Sequence, residues 1–298
     1  MVENVILGLK YAVSVCSTLA ILGNLLMIAA LVWTTKLRIK YFQLVFNMAL
    51  ADMFFAAFST AFPWTEYHII YSLFMTGYVV SVLMSLAIGV NRYLAFSLSS
   101  PSRYDSLFTG RRLLILILLI WCLSILLNLL PIVTASEGVT IWIYGLLRPL
   151  TVFISWLVLA VLYGVLFYKV RKNTRASVVP RPSTDTNFDN SPTDTLHTQI
   201  RWLLATFIVI PVASFVFWMP YSVVRITAFV DPNHFFAHNL DVAYWFSGSL
   251  YCIAAAINPL IYWGRLNGLG QGVYTRLEGD GELDPEIENA QPAINTLI

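Results

Sequence analysis

The chain has 298 residues, of which 58% are apolar and 11% charged, and its mean hydropathy is +0.72. A water-soluble domain cannot hide that much apolar surface, whereas a bilayer can. A formal net charge of +2 carries no polybasic signal for nucleic acid, and no nucleophile–base pair or metal-ligand spacing points to an enzyme.

Seven apolar segments are long enough to span a bilayer: 11–33, 41–62, 67–97, 113–133, 140–168, 202–230 and 240–263. Turn or charge signals separate them, including Lys36-Leu-Arg38-Ile-Lys40, Pro63, the stretch from Pro101 to Arg112, Ser136-Glu-Gly138 and Asp231-Pro-Asn233. The first apolar run continues through Leu31, too long for a signal-peptide core, and reads as a retained anchor. Cys16, Cys122 and Cys252 all lie inside apolar runs, so no disulfide is expected. The polar stretch from Arg171 to Thr198 is rich in Ser, Thr, Asp, Asn and Pro, which predicts a mobile loop.

Charge placement predicts orientation. With the N-terminus outside, fifteen of the eighteen Lys and Arg residues fall on inner loops and flanks, leaving Lys10, Arg148 and Arg225 toward the outside. The expectation is an all-α membrane protein, a seven-transmembrane helix bundle. Residues 1–10 form a short extracellular N-terminus, 11–263 the bundle with 171–198 as a cytoplasmic loop, and 264–298 a disordered cytoplasmic tail. That tail is acidic after Leu277, and Gly264, Gly268 and Gly270 argue against an amphipathic helix there.

The third segment ends in Asn91-Arg92-Tyr93. As a helix, Glu66 to Arg92 spans ~39 Å against a hydrocarbon core of ~30 Å, so Arg92 falls near the inner boundary. An Arg there reads either as a snorkelling anchor or as a switch holding neighbouring helices. Asp52 lies mid-span, where an ionised carboxylate costs about 3 kcal/mol without a partner. Asn24, Ser81 and Asn258 are its candidate companions, either around a small cation or in a water-bridged network. Prolines at 63, 131, 149, 211, 220 and 259 predict helices that bend.

In order, these residues resemble the rhodopsin-like (class A) G-protein-coupled receptors. The matching features are Gly23-Asn24, Asn47-Met48-Ala49-Leu50-Ala51-Asp52, Asn91-Arg92-Tyr93, Trp121, Tyr163 with Val170-Arg171, Phe217-Trp218-Met219-Pro220 and Asn258-Pro259 through Tyr262. The resemblance covers residues 23–262. It implies a plasma-membrane, multi-pass receptor whose sixth helix moves outward on ligand binding, driving nucleotide exchange on a heterotrimeric G protein. Arrestin and membrane lipid are further implied partners. It assigns coupling and switching to Asn91, Arg92, Tyr93, Tyr163, Trp218, Pro220, Asn258, Pro259 and Tyr262. Asp52, Ser81 and Asn258 are implied to hold sodium weakly, or only water.

The departures carry their own expectations. Tyr67 stands where the family places a disulfide cysteine, and the loop from Thr134 to Thr140 has none. The interval from Asp52 to Arg92 is short, which predicts a reduced outer half. Ser155 replaces the fifth-helix proline, Ser214 an aromatic below Trp218, and Ala254 and Ala255 polar groups near Asp52. Asn91 replaces the acid that pairs with the arginine, and Gln199-Ile200-Arg201 offers no second acid, which predicts agonist-independent signalling.

By alignment the ligand pocket comprises Phe74, Tyr78, Trp218, Tyr221, Arg225, Tyr244, Gly248 and Cys252. Phe74 stands where amine receptors carry an aspartate, and the seventh segment has no lysine for a retinal Schiff base, so no organic cofactor is expected. Arg225 and Arg148 at the mouth suit an anionic ligand or a peptide C-terminus. Snorkelling anchors are the competing reading. A non-coupling scaffold or decoy receptor remains an alternative because of Asn91. A transporter or channel fits less well, since Asp52 is the single deep acid.

Overall fold

The computed structural model describes residues 2–33, 40–65, 67–98, 101–177, 209, 212–213, 215–231 and 241–278. In chain order the elements are α1 (Val2–Trp33), α2 (Lys40–Ala61) with a 3-10 turn at Phe62–Trp64, α3 (His68–Ser97) and α4 (Pro101–Leu107). They continue with α5 (Gly110–Thr134), α6 (Glu137–Ile141), a π-helical turn (Trp142–Leu147) and α7 (Arg148–Ser177). The last two are α8 (Phe215–Val230) and α9 (Asp241–Glu278).

The spans Val2–Trp33, Gln43–Trp64, His68–Ala95, Gly110–Thr134 and Glu137–Lys169 are long and apolar enough to cross a bilayer, and α8 is a shorter apolar helix. Their outward faces are strongly apolar. Leu26, Leu123, Leu126 and Val161 all stand more than half exposed, the pattern of helices whose solvent is lipid.

α3 is the central helix, packed against α2, α5 and α7, while α1 packs between α2 and α9. Small residues set the closest approaches. A Cβ on Gly77 of α3 would lie 2.6 Å from the backbone nitrogen of Phe55, so only glycine admits α2 at this depth. Two apolar clusters result. One joins α1, α2, α3, α7, α8 and α9 around Phe74, Tyr78, Trp218 and Tyr251; the other joins α1, α2, α3 and α5 around Met48, Met84 and Ile117.

Three boundaries differ from the sequence reading. Helix α1 begins at Val2, so residues 2–10 of the expected short N-terminal segment are helical, because Val5, Ile6 and Leu7 extend the same apolar run. Helix α7 continues to Ser177, past the expected loop start at Arg171; a lysine- and arginine-rich end complements the helix dipole. The rest of that loop, 178–198, lies outside the described residues. Helix α9 passes Trp263 and runs to Glu278, where a disordered tail was expected from Gly264. Glycine costs a helix about 1 kcal/mol each, but no proline follows Pro259 until Pro285, so nothing stops the helix there. Residues 279–298 lie outside the described residues. The segment at Ser136–Gly138 is also tighter than a loop of seven residues. Ala135 turns in the left-handed region (φ 49°), and the Ser136 hydroxyl caps α6 by accepting from the Val139 amide.

Candidate functional site

At mid-depth, Asp52 of α2 is 2% exposed. Ser81 Oγ of α3 donates to Asp52 Oδ1, and Asn258 Nδ2 of α9 donates to Oδ2 over 2.8 Å. Three of the four residues grouped on sequence therefore meet. Asn24 does not join them. Its amide donates to the carbonyls of Ala20 at 2.9 Å and Ala255 at 3.0 Å. The reason lies in Pro259, which has no N–H to offer the carbonyl four residues earlier, that of Ala255. Asn24 fills that vacancy, and Gly23 beside it faces the Pro259 ring, where a Cβ would make ordinary contact at 3.4 Å.

Toward the end of the bundle where α3 begins, aromatic residues converge. Phe74, Tyr78, Trp218, Tyr221 and Cys252 are buried in one cluster, with Tyr244 packed against it. Tyr221 packs at a tilt between Tyr244 (centroids 5.7 Å) and Tyr251 (4.8 Å). Tyr251 Oη donates to the Trp218 carbonyl at 3.4 Å, tying α9 to α8 two residues before Pro220. Gly248 lies on the same stripe of α9 as Tyr244 and Cys252, and a Cβ on it would meet nothing within 4 Å. Cys252 points elsewhere: its sulfur accepts from Ser17 Oγ at 3.3 Å, on the α1–α2 side.

Arg148 is the residue whose environment was least visible in advance. It is 1% exposed. Nη2 donates to Asn128 Oδ1 of α5 at 2.6 Å and Nη1 to Tyr71 Oη of α3 at 3.0 Å. Its guanidinium lies over the rings of Tyr144 (4.2 Å) and Tyr71 (5.3 Å). A snorkelling anchor reaches water, and this side chain does not. The π turn explains its position. The Arg148 amide bonds Ile143 O rather than Tyr144 O, and Pro149 has no amide to take the next carbonyl in the wider register. The Tyr144 carbonyl is thus left for Arg225 Nε of α8, at 3.4 Å. Tyr71 Oη also shares a hydrogen bond with Tyr221 Oη at 3.1 Å, and Ser72 Oγ with Tyr144 Oη at 2.8 Å. Tyr71, Tyr144, Asn128 and Tyr251 were not among the sequence-derived candidates. A mid-span asparagine at 128 was the one advance signal.

At the other end of α3, Asn91 and Arg92 are both 2% exposed. Asn91 Oδ1 accepts from Tyr104 Oη of α4 at 2.9 Å. Lys169 of α7 donates to Ser97 Oγ at 2.9 Å and covers the Tyr93 ring at 4.9 Å. Tyr163 is buried one helix turn away, against the space that a Cβ on Gly89 would fill. Helix α9 includes Pro259 and Tyr262, but the Tyr262 side chain lies outside the described residues, as do residues 199–201 and 214.

Residues 23–141, holding Asn24, Asp52, Ser81, Asn91 and Arg92, match the family model described as 7 transmembrane receptor (rhodopsin family). That part of the chain is similar to the rhodopsin-like receptors. An alpha-1A adrenergic receptor of Oryzias latipes is 26% identical over 145 residues, 44% of this chain and 30% of that receptor. An octopamine receptor beta-1R of Drosophila melanogaster is 29% identical over 131 residues, 38% and 24% of the two chains. A GQ-coupled rhodopsin of Mizuhopecten yessoensis is 23% identical over 260 residues, 74% and 50%. The chain thus spans half or less of the length of these rhodopsin-like relatives.

Proposed function

We propose that the chain is a plasma-membrane receptor that takes an extracellular ligand among its outer aromatic residues and activates a heterotrimeric G protein. In this reading seven helices cross the bilayer with the N-terminus outside, and the 178–198 segment faces the cytoplasm. The observation that carries it is the burial of Arg92 at the far end of α3 from the Tyr71–Tyr221 cluster, about 32 Å along the helix axis. A buried cation at the inner end and a buried aromatic cluster at the outer end are the two poles this switch would couple. Trp218 and Pro220 on α8, with Tyr251 bonded beside them, supply the bend between the poles. Asp52, Ser81 and Asn258 form a mid-helix brace that holds water or, weakly, sodium.

Guanine-nucleotide exchange in membranes containing the chain and supplied G protein tests the reading. Exchange that depends on the chain, and is lost in Arg92→Ala at equal surface expression, supports it. Absence of exchange in every variant favours the non-coupling scaffold. The observation on that second side is Asn91 itself, a neutral amide where the family's acid would stand.

A further inference from the structure

We infer that Arg148 and Arg225 seat the carboxylate of a small organic acid at the outer end of the bundle. The inference rests on the receptor reading above and names the ligand class. Both guanidinium groups meet at Tyr144, Arg148 over its ring at 4.2 Å and Arg225 on its carbonyl at 3.4 Å. Neither is bonded to a carboxylate among the described residues. Arg148 has only the neutral acceptors Tyr71 and Asn128, and its buried Nε has no partner. A buried cation satisfied by neutral groups alone leaves an uncompensated charge, and a planar guanidinium with a free N–H edge matches a carboxylate. A monoanion with an apolar body suits the rest of the site. Phe74 and Tyr244 offer rings, and the open space beside Gly248 offers room. A carboxylate arriving on Arg148 competes with Tyr71 Oη, and so loosens the Tyr71–Tyr221 bridge between α3 and α8.

The test uses the full chain in lipid nanodiscs, with the thermal midpoint read against a series of straight-chain and phenyl-substituted monocarboxylates and their primary amides. At least one acid is expected to raise the midpoint in a saturable way while its amide does not. Arg148→Gln is expected to weaken that acid by about 30- to 100-fold, the loss of one charge-assisted contact. Arg225→Gln, at a half-buried side chain, is expected to weaken it by about tenfold and serves where Arg148→Gln does not fold. Equal shifts by acid and amide, no shift by any acid, or undiminished binding in a folded Arg148→Gln variant would overturn the inference. No G protein enters this measurement. An acid that binds through Arg148 but drives no nucleotide exchange sinks the coupling reading and leaves the seat standing.

Discussion

Tyr104 Oη donates a hydrogen bond to Asn91 Oδ1 over 2.9 Å, joining the short helix α4 to the C-terminal end of α3. Burial pushes the Tyr104 hydroxyl up from its ordinary range; the Asn91 bond opposes this and the Asp105 carboxylate adds to it. The phenol therefore stays a donor at any physiological pH. Asn91 is neutral, so it offers Arg92 an amide where the rhodopsin-like pattern offers a carboxylate, and Tyr104 competes for that amide.

Agonist-free nucleotide exchange should therefore be measurable and should fall when Arg92 gains a better partner. Asn91→Asp supplies a charge and is expected to lower basal exchange by about tenfold, for roughly 1.4 kcal/mol of added restraint. Tyr104→Phe frees the Asn91 oxygen and is expected to lower it by about fivefold, the worth of one neutral bond. A rise in basal exchange in either variant contradicts the argument.

Asp52→Asn keeps the shape of the brace and removes its charge. Ala254 and Ala255 supply no side-chain oxygen near it, so the variant is expected to alter ligand-driven exchange while changing sodium dependence little. Titrating sodium chloride against choline chloride in both proteins measures this. A large sodium effect in wild type that disappears in the variant would mean the ion binds firmly.

Asn24→Ala leaves the Ala255 carbonyl, already without the Pro259 amide, buried and unpaired. The expected cost is about 1–3 kcal/mol, read as a lower thermal midpoint in nanodiscs. Ser17→Ala, which disturbs a hydroxyl pair with Ser59 and not a backbone carbonyl, should cost less.

Gly77→Ala should be more damaging than its size suggests. The added methyl meets the Phe55 backbone nitrogen at 2.6 Å and Cα at 2.8 Å, atoms that cannot rotate away. Separating α2 from α3 is expected to cost 1–3 kcal/mol or more and to move Asp52 away from Ser81. Gly164→Ala, on a face where a Cβ meets nothing within 4 Å, provides the matched control and should be neutral or mildly stabilising. Surface yield and thermal midpoint of the two variants decide it.

Much of this protein was determined by its sequence alone. Apolar runs long enough to cross a bilayer can be read residue by residue, because burying a helix in lipid depends on composition and length. Helix α3 was expected from Tyr67 and runs from His68 to Ser97. The grouping of Asp52, Ser81 and Asn258 could likewise be named, since a mid-span carboxylate must find polar partners and few exist. Helix ends in polar stretches were less legible. The continuations to Ser177 and Glu278 depend on weak propensities, with no hydrophobic boundary to mark a stop. Only the tertiary structure decided what Asn24, Cys252 and Arg148 do. Asn24 answers a carbonyl orphaned on another helix, and Cys252 turns to α1 although it shares a helix stripe with Tyr244. Arg148 is carried inward by a π turn and met by Tyr71 and Asn128, residues 77 and 20 positions away. Such roles depend on which faces of separate helices meet, and no local pattern encodes that.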